Sequence, residues 1–239
     1  MLLRLPTSVS EAQECLAEGA VPIGGATLVW AAWQRHGFPA RAMSLRELPE
    51  ANVIGREALG AAVVLARVDD RVPDVLRRAA ASVGTGAVRR TATVGGNLVG
   101  STLRCLLPPA LVLDARARVL GPDGVRETGL ADAAAGRAVL LSVHWREPVA
   151  AAYRKFPGAD GGPPPLVVAS ALHDGEPGPR LRVAVRTGYD VLSEDVDRGA
   201  DAEDTLGVLR ERSLGGLPPV AWEAVREQVS GLLGRPDGR

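Results

Sequence analysis

The sequence predicts an α+β fold, and three observations support this. The first 45 residues follow the order helix, strand, glycine turn, helix, strand, which favours parallel pairing of the two strands. Farther along, a Gly-Pro-Asp-Gly turn at 121–124 joins two predicted strands. The last third has strands first and helices afterwards, with strands near 166–172 and 181–186 and helices near 201–212 and 219–233. Strands and helices that are partly interleaved and partly separate are typical of the α+β class.

The first helix is indicated by its capping residues. Ser8 and Glu11 have the spacing of a capping box, and Ala12, Cys15 and Leu16 share one apolar face of the helix that follows. A small thiol on such a face usually packs in a core. Cys15 is therefore interpreted as a core residue.

The next elements surround a pair of glycines. An apolar strand over 20–23 stops at Gly24-Gly25, and a second helix is predicted over 26–36, with Gly37 as the glycine that ends it. A further strand is predicted over 42–45.

The middle of the chain alternates short strands and helices. Two short strands are predicted within 53–62, followed by a helix over 72–83 with one apolar face. A short helix is predicted over 108–115 and a buried strand over 139–145.

A domain boundary is predicted near Glu147-Pro148. It divides the chain into an N-terminal domain, 1–147, with subdomains of about 1–52 and 53–147, and a C-terminal domain, 148–239. Within the C-terminal domain, the glycine- and proline-rich stretch 158–165 is predicted to be a linker, and residues 235–239 a frayed tail.

Composition excludes several classes of function. The formal net charge is zero and no basic stripe with interleaved aromatics occurs, which argues against a nucleic-acid partner. Cys15 and Cys105 form no CxxC motif, so we expect neither an iron–sulfur cluster nor a zinc site in this chain. With no apolar signal segment and no run long enough to span a bilayer, we expect a cytoplasmic protein with no membrane partner.

Two glycine turns are candidates for anion binding. Gly24-Gly25 lies between a strand and a helix, where glycine lets the backbone approach a phosphate and the helix offers unpaired N–H groups. Alone, such a pair is more often a simple turn, and it does not match a GxGxxG motif. Gly95-Gly96 is a second such pair with polar neighbours, Thr93 and Asn97. Together the two turns could clamp opposite sides of one diphosphate.

The motifs around these turns resemble one family. Residues 91–98, Thr-Ala-Thr-Val-Gly-Gly-Asn-Leu, followed by 108–115, resemble the "ATIGGNL … PPALLALDA" region of the molybdenum hydroxylase flavoproteins. These are the FAD-binding medium subunit of carbon monoxide dehydrogenase and the matching domain of xanthine dehydrogenase. Residues 23–28 resemble their "AGGTDL" loop, 59–61 their "IGA" strand and 153–156 their "F-x-K-L" strand.

The resemblance implies a PCMH-type FAD-binding domain of two subdomains, followed by a small α+β C-terminal domain. It implies FAD between the two subdomains, with both glycine turns on its pyrophosphate. A cation at Lys155 would lie near the flavin ring, although a solvated strand-edge lysine is an equal alternative. The implied cofactor-binding residues are Ile23, Gly24, Gly25, Ala26, Thr27, Leu28, Thr93, Gly95, Gly96, Asn97, Ser101, Thr102 and Lys155.

The segment between the second turn and Pro108 departs from the family pattern. Where relatives have a segment like "ASPAADLPP", this chain has Gly-Ser-Thr-Leu-Arg-Cys-Leu-Leu-Pro, so that Cys105 stands at the usual acidic position. Ser101 and Thr102 could still donate to the ribityl or phosphate groups.

The resemblance implies an FAD-dependent oxidoreductase, the flavoprotein subunit of a dehydrogenase or hydroxylase. Such a subunit transfers electrons between a molybdenum-cofactor large subunit with a [2Fe–2S] small subunit and an external acceptor. Two alternatives stay open: a stand-alone FAD-dependent oxidoreductase acting on a small molecule, and a non-catalytic assembly subunit that has lost FAD. No catalytic residue is indicated, since His36, His144 and His173 lie on separate elements.

Overall fold

The computed structural model of the chain describes residues 1–158, 162, 164–176 and 178–234. The linker expected at 158–165 lies partly outside these residues, and the tail expected at 235–239 lies wholly outside them. Over the described residues the strands form three sheets, each of which shares a hydrophobic core with helices, which confirms the α+β class. No helix in this described part has both the length and the apolar composition needed to cross a bilayer.

The N-terminal unit is a small parallel sheet with two helices. It comprises β1 (Leu2–Arg4), α1 (Val9–Ala17), β2 (Val21–Ile23), α2 (Val29–His36) and β3 (Arg41–Ser44). The middle strand, β3, pairs in parallel with both β1 and β2, so the parallel pairing expected from the sequence is confirmed. The sequence pattern did not indicate β1.

The cap of α1 differs in one respect from a capping box. The Oγ of Ser8 accepts the backbone N–H of Glu11 at 3.2 Å, as expected. The Glu11 carboxylate accepts the backbone N–H of Thr7 at 2.7 Å and its hydroxyl at 3.0 Å, one residue earlier than the motif requires. These hydrogen bonds hold the pKa of Glu11 below its ordinary value. Cys15 is buried on this helix, as expected of a core residue.

Helix α2 begins three residues later than expected. Ala26 has φ 55°, a left-handed conformation that cannot belong to a right-handed helix. The helix therefore begins at Val29, and it ends before Gly37, whose φ is 94°. None of the residues of α2, all of which are described, is buried.

The middle sheet is antiparallel, in the order β4-β7-β5-β6. Its strands are β4 (Ala58–Gly60), β5 (Arg116–Gly121), β6 (Gly124–Gly129) and β7 (Val139–His144). The turn expected at 121–124 and the buried strand expected at 139–145 are confirmed. Of the two strands expected within 53–62, one is β4 and the other is reduced to a single bridge between Ile54 and Leu59.

Helices cover this sheet and connect its strands. They are α3 (Asp74–Ala81), α4 (Gly86–Arg89), α5 (Leu107–Val112) and α6 (Leu130–Ala135). Helices α3 and α5 confirm the two expected helices with tighter bounds, whereas α4 and α6 were not expected.

The C-terminal part is an antiparallel sheet in the order β11-β10-β9-β8, followed by two helices. The elements are β8 (Ala150–Lys155), β9 (Val167–His173), β10 (Arg180–Thr187), β11 (Asp190–Asp197), α7 (Ala202–Glu211) and α8 (Pro219–Leu233). Strand β11 escaped the sequence analysis because it is an edge strand rich in aspartate and glutamate, residues that are depleted in strands.

Both faces of the C-terminal sheet are buried. On one face Ala169, Ala171 and Ala184 join the core that α3, α5 and the middle sheet form. On the other face the alternating residues of β10, such as Val183 and Val185, pack with α7 and α8. The link between β7 and β8 lies at the boundary expected near 147, yet the core continues across it. The division into domains therefore stays a prediction.

The small residues on the α5 face set how closely helix and sheet approach. We expect Ala184→Leu to destabilise the protein by about 1–3 kcal/mol, because the added side chain overpacks a site with no exposed surface. Ala135→Leu, at an exposed position of α6, is the matched control and should change the stability by less than about 0.5 kcal/mol. Urea denaturation monitored by circular dichroism measures both. Equal stability of the two variants would contradict this packing.

Candidate functional site

The first glycine turn presents a row of unpaired backbone donors. It follows β2 and comprises Gly24, Gly25, Ala26, Thr27 and Leu28. The carbonyl of Ala26 accepts the N–H of Trp30 at 3.0 Å, which starts α2. Within the described part of the chain, no backbone N–H from Gly24 to Leu28 donates a hydrogen bond. The first turn of α2 has no acidic side chain either. These donors therefore remain available to an anion.

The backbone amides of the second glycine turn already donate hydrogen bonds within the protein. The N–H of Val94 donates to the carbonyl of Val63, and the N–H of Gly95 to the carbonyl of Ala61, at 2.9 and 2.8 Å. The N–H of Gly96 donates to Oγ1 of Thr93 at 3.1 Å. The chain then makes one π-helical turn, Gly96–Gly100, of the kind often found at functional sites. Because these amides are occupied, the turn offers chiefly the Thr93 hydroxyl, whose own hydrogen has no acceptor among the described residues.

The two turns are in direct contact. A Cβ on Gly24 would lie 2.2 Å from Oγ1 of Thr93, and a Cβ on Gly25 would lie 1.7 Å from the carbonyl oxygen of Thr91. Contacts this short are possible only because glycine has no side chain. The structure thus brings together the two motifs that the sequence separates by about seventy residues.

The glycines of the second turn differ from one another. A Cβ on Gly95 would lie 2.8 Å from Cβ of Ala61, so Gly95 is required for packing against the middle sheet. A Cβ on Gly96 would meet only Oγ1 of Thr93, at 3.1 Å, and would otherwise point into open space. Of the four glycines, Gly96 is the one whose missing side chain leaves room beside the turn.

Asn97 and Ser101 support the chain that leaves this turn. The Oδ1 of Asn97 accepts the N–H of Leu106 at 2.8 Å, and the Oγ of Ser101 accepts the N–H of Leu103 at 2.9 Å. Both side chains are buried, whereas Thr102 is exposed. The amide nitrogen of Asn97 donates no hydrogen bond within the described residues, so it remains available as a donor.

Among the described residues, the Lys155 side chain forms no hydrogen bond with either glycine turn. It ends β8, and its Nζ donates to the carbonyl of Ser82 at 2.5 Å, at the C-terminus of α3, where a positive charge is favourable. The hydroxyl of Ser82 is in turn 3.0 Å from the hydroxyl of Tyr153. Burial raises the pKa of Tyr153, and the hydrogen bond to Ser82 opposes that rise. Lys155 therefore belongs to a polar cluster between α3 and β8.

The three histidines lie on separate elements, and two of them make hydrogen bonds. His173 lies 2.7 Å from the carbonyl of Val112 at the end of α5, and His144 lies 2.8 Å from Oγ of Ser142. Burial lowers the pKa of His144. His36 is exposed at the end of α2.

Two cavities lie elsewhere. One, of about 590 Å³, is lined by charged residues that include Arg56 and Glu147, which form an ion pair at 2.5 Å. The other, of about 210 Å³, is lined by Asp114, Arg182 and Asp195 among others, and these too are ion-paired. No residue of either glycine turn lines them. Most of their charged side chains are ion-paired.

The two turns bring unoccupied hydrogen-bond donors close together. The free amides before α2 and the Thr93 hydroxyl lie on either side of one contact between two loops, and Gly96 leaves that side open. Sequence reasoning found both turns. It missed Thr91 and Ala61, because their roles come from backbone atoms that pack on glycines, and such contacts have no sequence signature.

Comparison with known proteins gives one family and several related folds. The family model for the FAD binding domain in molybdopterin dehydrogenase matches residues 3–140. A chain of CO dehydrogenase from Oligotropha carboxidovorans superposes with a TM-score of 0.75 at 18% identity, over 99% of this chain and 98% of that one. A chain of quinoline 2-oxidoreductase from Pseudomonas putida 86 superposes with a TM-score of 0.71 at 18% identity, over 98% and 95% of the two chains.

A chain of the Cu,Mo-CO dehydrogenase in its cyanide-inactivated form is also similar, with a TM-score of 0.73 at 16% identity and 96% of each chain covered. At these identities the likeness shows a common fold. No curated protein sequence matches the chain.

The contact between the turns can be tested without any ligand. We expect Gly25→Ala to destabilise the protein by about 1–3 kcal/mol, because its Cβ would overlap a backbone carbonyl that cannot move freely. Gly96→Ala is the matched control and should stay within about 0.5 kcal/mol of the wild type. Thermal and urea unfolding report the difference. If Gly25→Ala is as stable as Gly96→Ala, the two turns do not touch as described.

Proposed function

This chain belongs to the family of FAD-binding domains of molybdopterin dehydrogenases, and from that membership we propose that it is a flavoprotein subunit that transfers electrons between a molybdenum/iron–sulfur partner and an external acceptor. FAD is the cofactor of this family. When bound, FAD accepts and releases the electrons, and the protein supplies binding, orientation and electrostatic stabilisation. The open row of amides in the first glycine turn is the structural observation that supports cofactor binding.

We propose that the first turn binds one side of the pyrophosphate. Ile23 ends the strand that positions the turn, and the backbone N–H groups of Gly24, Gly25, Ala26, Thr27 and Leu28 donate to phosphate oxygens. The support is that these donors have no acceptor among the described residues, and that the N-terminus of α2 adds a favourable dipole.

We propose that the second turn binds the other side mainly through side chains. The Thr93 hydroxyl and the Asn97 amide nitrogen donate, Gly96 leaves room for the ligand, and Gly95 fixes the turn against Ala61. Ser101 supports the segment that follows, and the exposed Thr102 hydroxyl is the donor of that segment. Lys155 supplies a positive charge at the cluster formed with Ser82.

We propose that residues 1–147 are the cofactor-binding domain and that residues 148–239 are the C-terminal domain of the flavoprotein subunit. The family match over residues 3–140 supports the first assignment. The partners would be a molybdenum-cofactor large subunit and a [2Fe–2S] small subunit, which is supported by the similarity to a chain of Cu,Mo-CO dehydrogenase.

One observation favours a second candidate function. The segment 100–107 departs from relatives at Cys105, beside the second turn. A stand-alone FAD-dependent oxidoreductase acting on a small molecule would account for a changed environment there.

Affinity purification from the native host distinguishes the two candidates. We expect the tagged chain to bring with it a molybdenum-containing subunit and an iron–sulfur subunit in equal amounts. A lone flavoprotein with its own turnover would contradict our proposal and support the second candidate.

The cofactor site is tested by Gly96→Val. The wild-type protein should be yellow and release FAD on denaturation, whereas Gly96→Val should contain none, because its side chain fills the space beside Thr93. Gly216→Val is the control, since Gly216 is exposed with open space around it and lies in the C-terminal part. Absorbance at the flavin bands measures occupancy, and circular dichroism verifies folding. Full flavin content in folded Gly96→Val would rule out the proposed site, and a colourless wild type that takes up no added FAD would identify a chain that has lost its cofactor.

A further inference from the structure

Strand β10 places an arginine in the protein interior. Arg186 is fully buried. Its Nη1 donates to Sγ of Cys105 at 3.2 Å, and its Nη2 donates to the carbonyl of Pro165. Its Nε is also buried and has no acceptor among the described residues. On the same face of the strand, Arg182 is ion-paired with Asp114 and Asp195 at 3.0 and 2.8 Å. The two arginines therefore differ in how their charge is balanced.

The charge of Arg186 is uncompensated within the described chain. No carboxylate among the described residues forms an ion pair with it, and a thiol and a carbonyl are neutral partners. A guanidinium stays protonated in proteins, so it cannot avoid the cost of burial by losing its proton. A buried charge without a counter-charge is strongly unfavourable. We therefore look for a negative charge beyond the described residues.

Arg186 is connected, through its neighbours, to residues that are proposed to bind the cofactor, and there are two such connections. Cys105 directly precedes Leu106, whose N–H is held by Asn97 of the second glycine turn at 2.8 Å. On the other side, the charge of Arg186 acts on the Tyr153 hydroxyl, which contacts Ser82. The carbonyl of Ser82 holds Lys155 at 2.5 Å. Neighbouring residues thus connect Arg186 to Asn97 of the second turn and to the cluster of Ser82 and Lys155.

On the strength of the proposed function, we propose that Arg186 is the buried cation that balances the negative charge of the bound FAD in its reduced form. Two electrons from the partner and one proton from solvent convert neutral flavin into a singly negative reduced ring. Arg186 is shielded from water and stabilises that charge through space. It is a positioning residue that tunes the cofactor, and the low local dielectric strengthens its effect.

The proposal is tested by the reduction potential of the bound flavin, measured by equilibration with a reference dye. We expect Arg186→Gln to reduce the equilibrium constant for two-electron reduction at least tenfold, a decrease of about 30 mV in potential. Arg186→Lys keeps the charge and should restore most of the wild-type value. Arg182→Gln is the matched control on the same face of β10, and it should leave the potential unchanged because its charge is already paired.

A second variant neutralises the charge of Arg186 without removing the arginine. Cys105→Asp places a carboxylate beside Arg186 and should lower the potential in the same direction as Arg186→Gln. It also keeps the test decisive if Arg186→Gln fails to fold. Potentials of Arg186→Gln or Cys105→Asp that match Arg182→Gln, with FAD bound, would overturn this role for Arg186. A wild type that binds no FAD would instead overturn the proposed function itself, so the two failures are distinguishable.

Discussion

The close approach of two backbone turns is the constraint on which the rest of the site depends. Gly24 and Gly25 lie against Thr93 and the carbonyl of Thr91 at distances that no side chain would permit. The N-terminal parallel sheet ends in one turn, and the segment that leads into α5 begins in the other. Their contact therefore fixes the orientation of the N-terminal unit relative to the middle sheet. Helix α1 reinforces this orientation, because Gln13 donates to the carbonyls of Gly121 and Pro122 at 3.3 and 3.1 Å.

The two turns have similar sequences and different physical roles. The first leaves its amides free before α2, whereas the second uses its amides to fix itself to residues 61–63 and to its own threonine. The difference follows from their surroundings, since the first turn lies at the surface and the second is largely buried. A rigid turn beside an open one would make the proposed binding site preorganised on one side and accessible on the other, which would reduce the ordering that binding requires.

Local patterns predicted much of the fold, and contacts between distant residues account for what they missed. The Ser8 cap, the turn at 121–124 and the two C-terminal helices follow from side chains within a few residues of one another. The start of α2 was misplaced because Ala26 adopts φ 55°, which alanine does not signal. Sequence comparison marked Cys105 as unusual. It gave no indication of Arg186, because both faces of β10 are buried and alternation cannot identify a charged residue that faces a core.

The alanines on the sheet face that meets α5 have a consequence for how this chain can be recombined with relatives. The family match ends at residue 140, and the core formed by Ala169, Ala171 and Ala184 with α5 extends beyond that point. The two parts are therefore not interchangeable modules. A chimera that joins this N-terminal part to another C-terminal part would need to carry α5 and its facing strands from the same parent, because their surfaces fit only as a pair. We therefore expect substitutions in α5 and substitutions in the strand residues that face it to occur together.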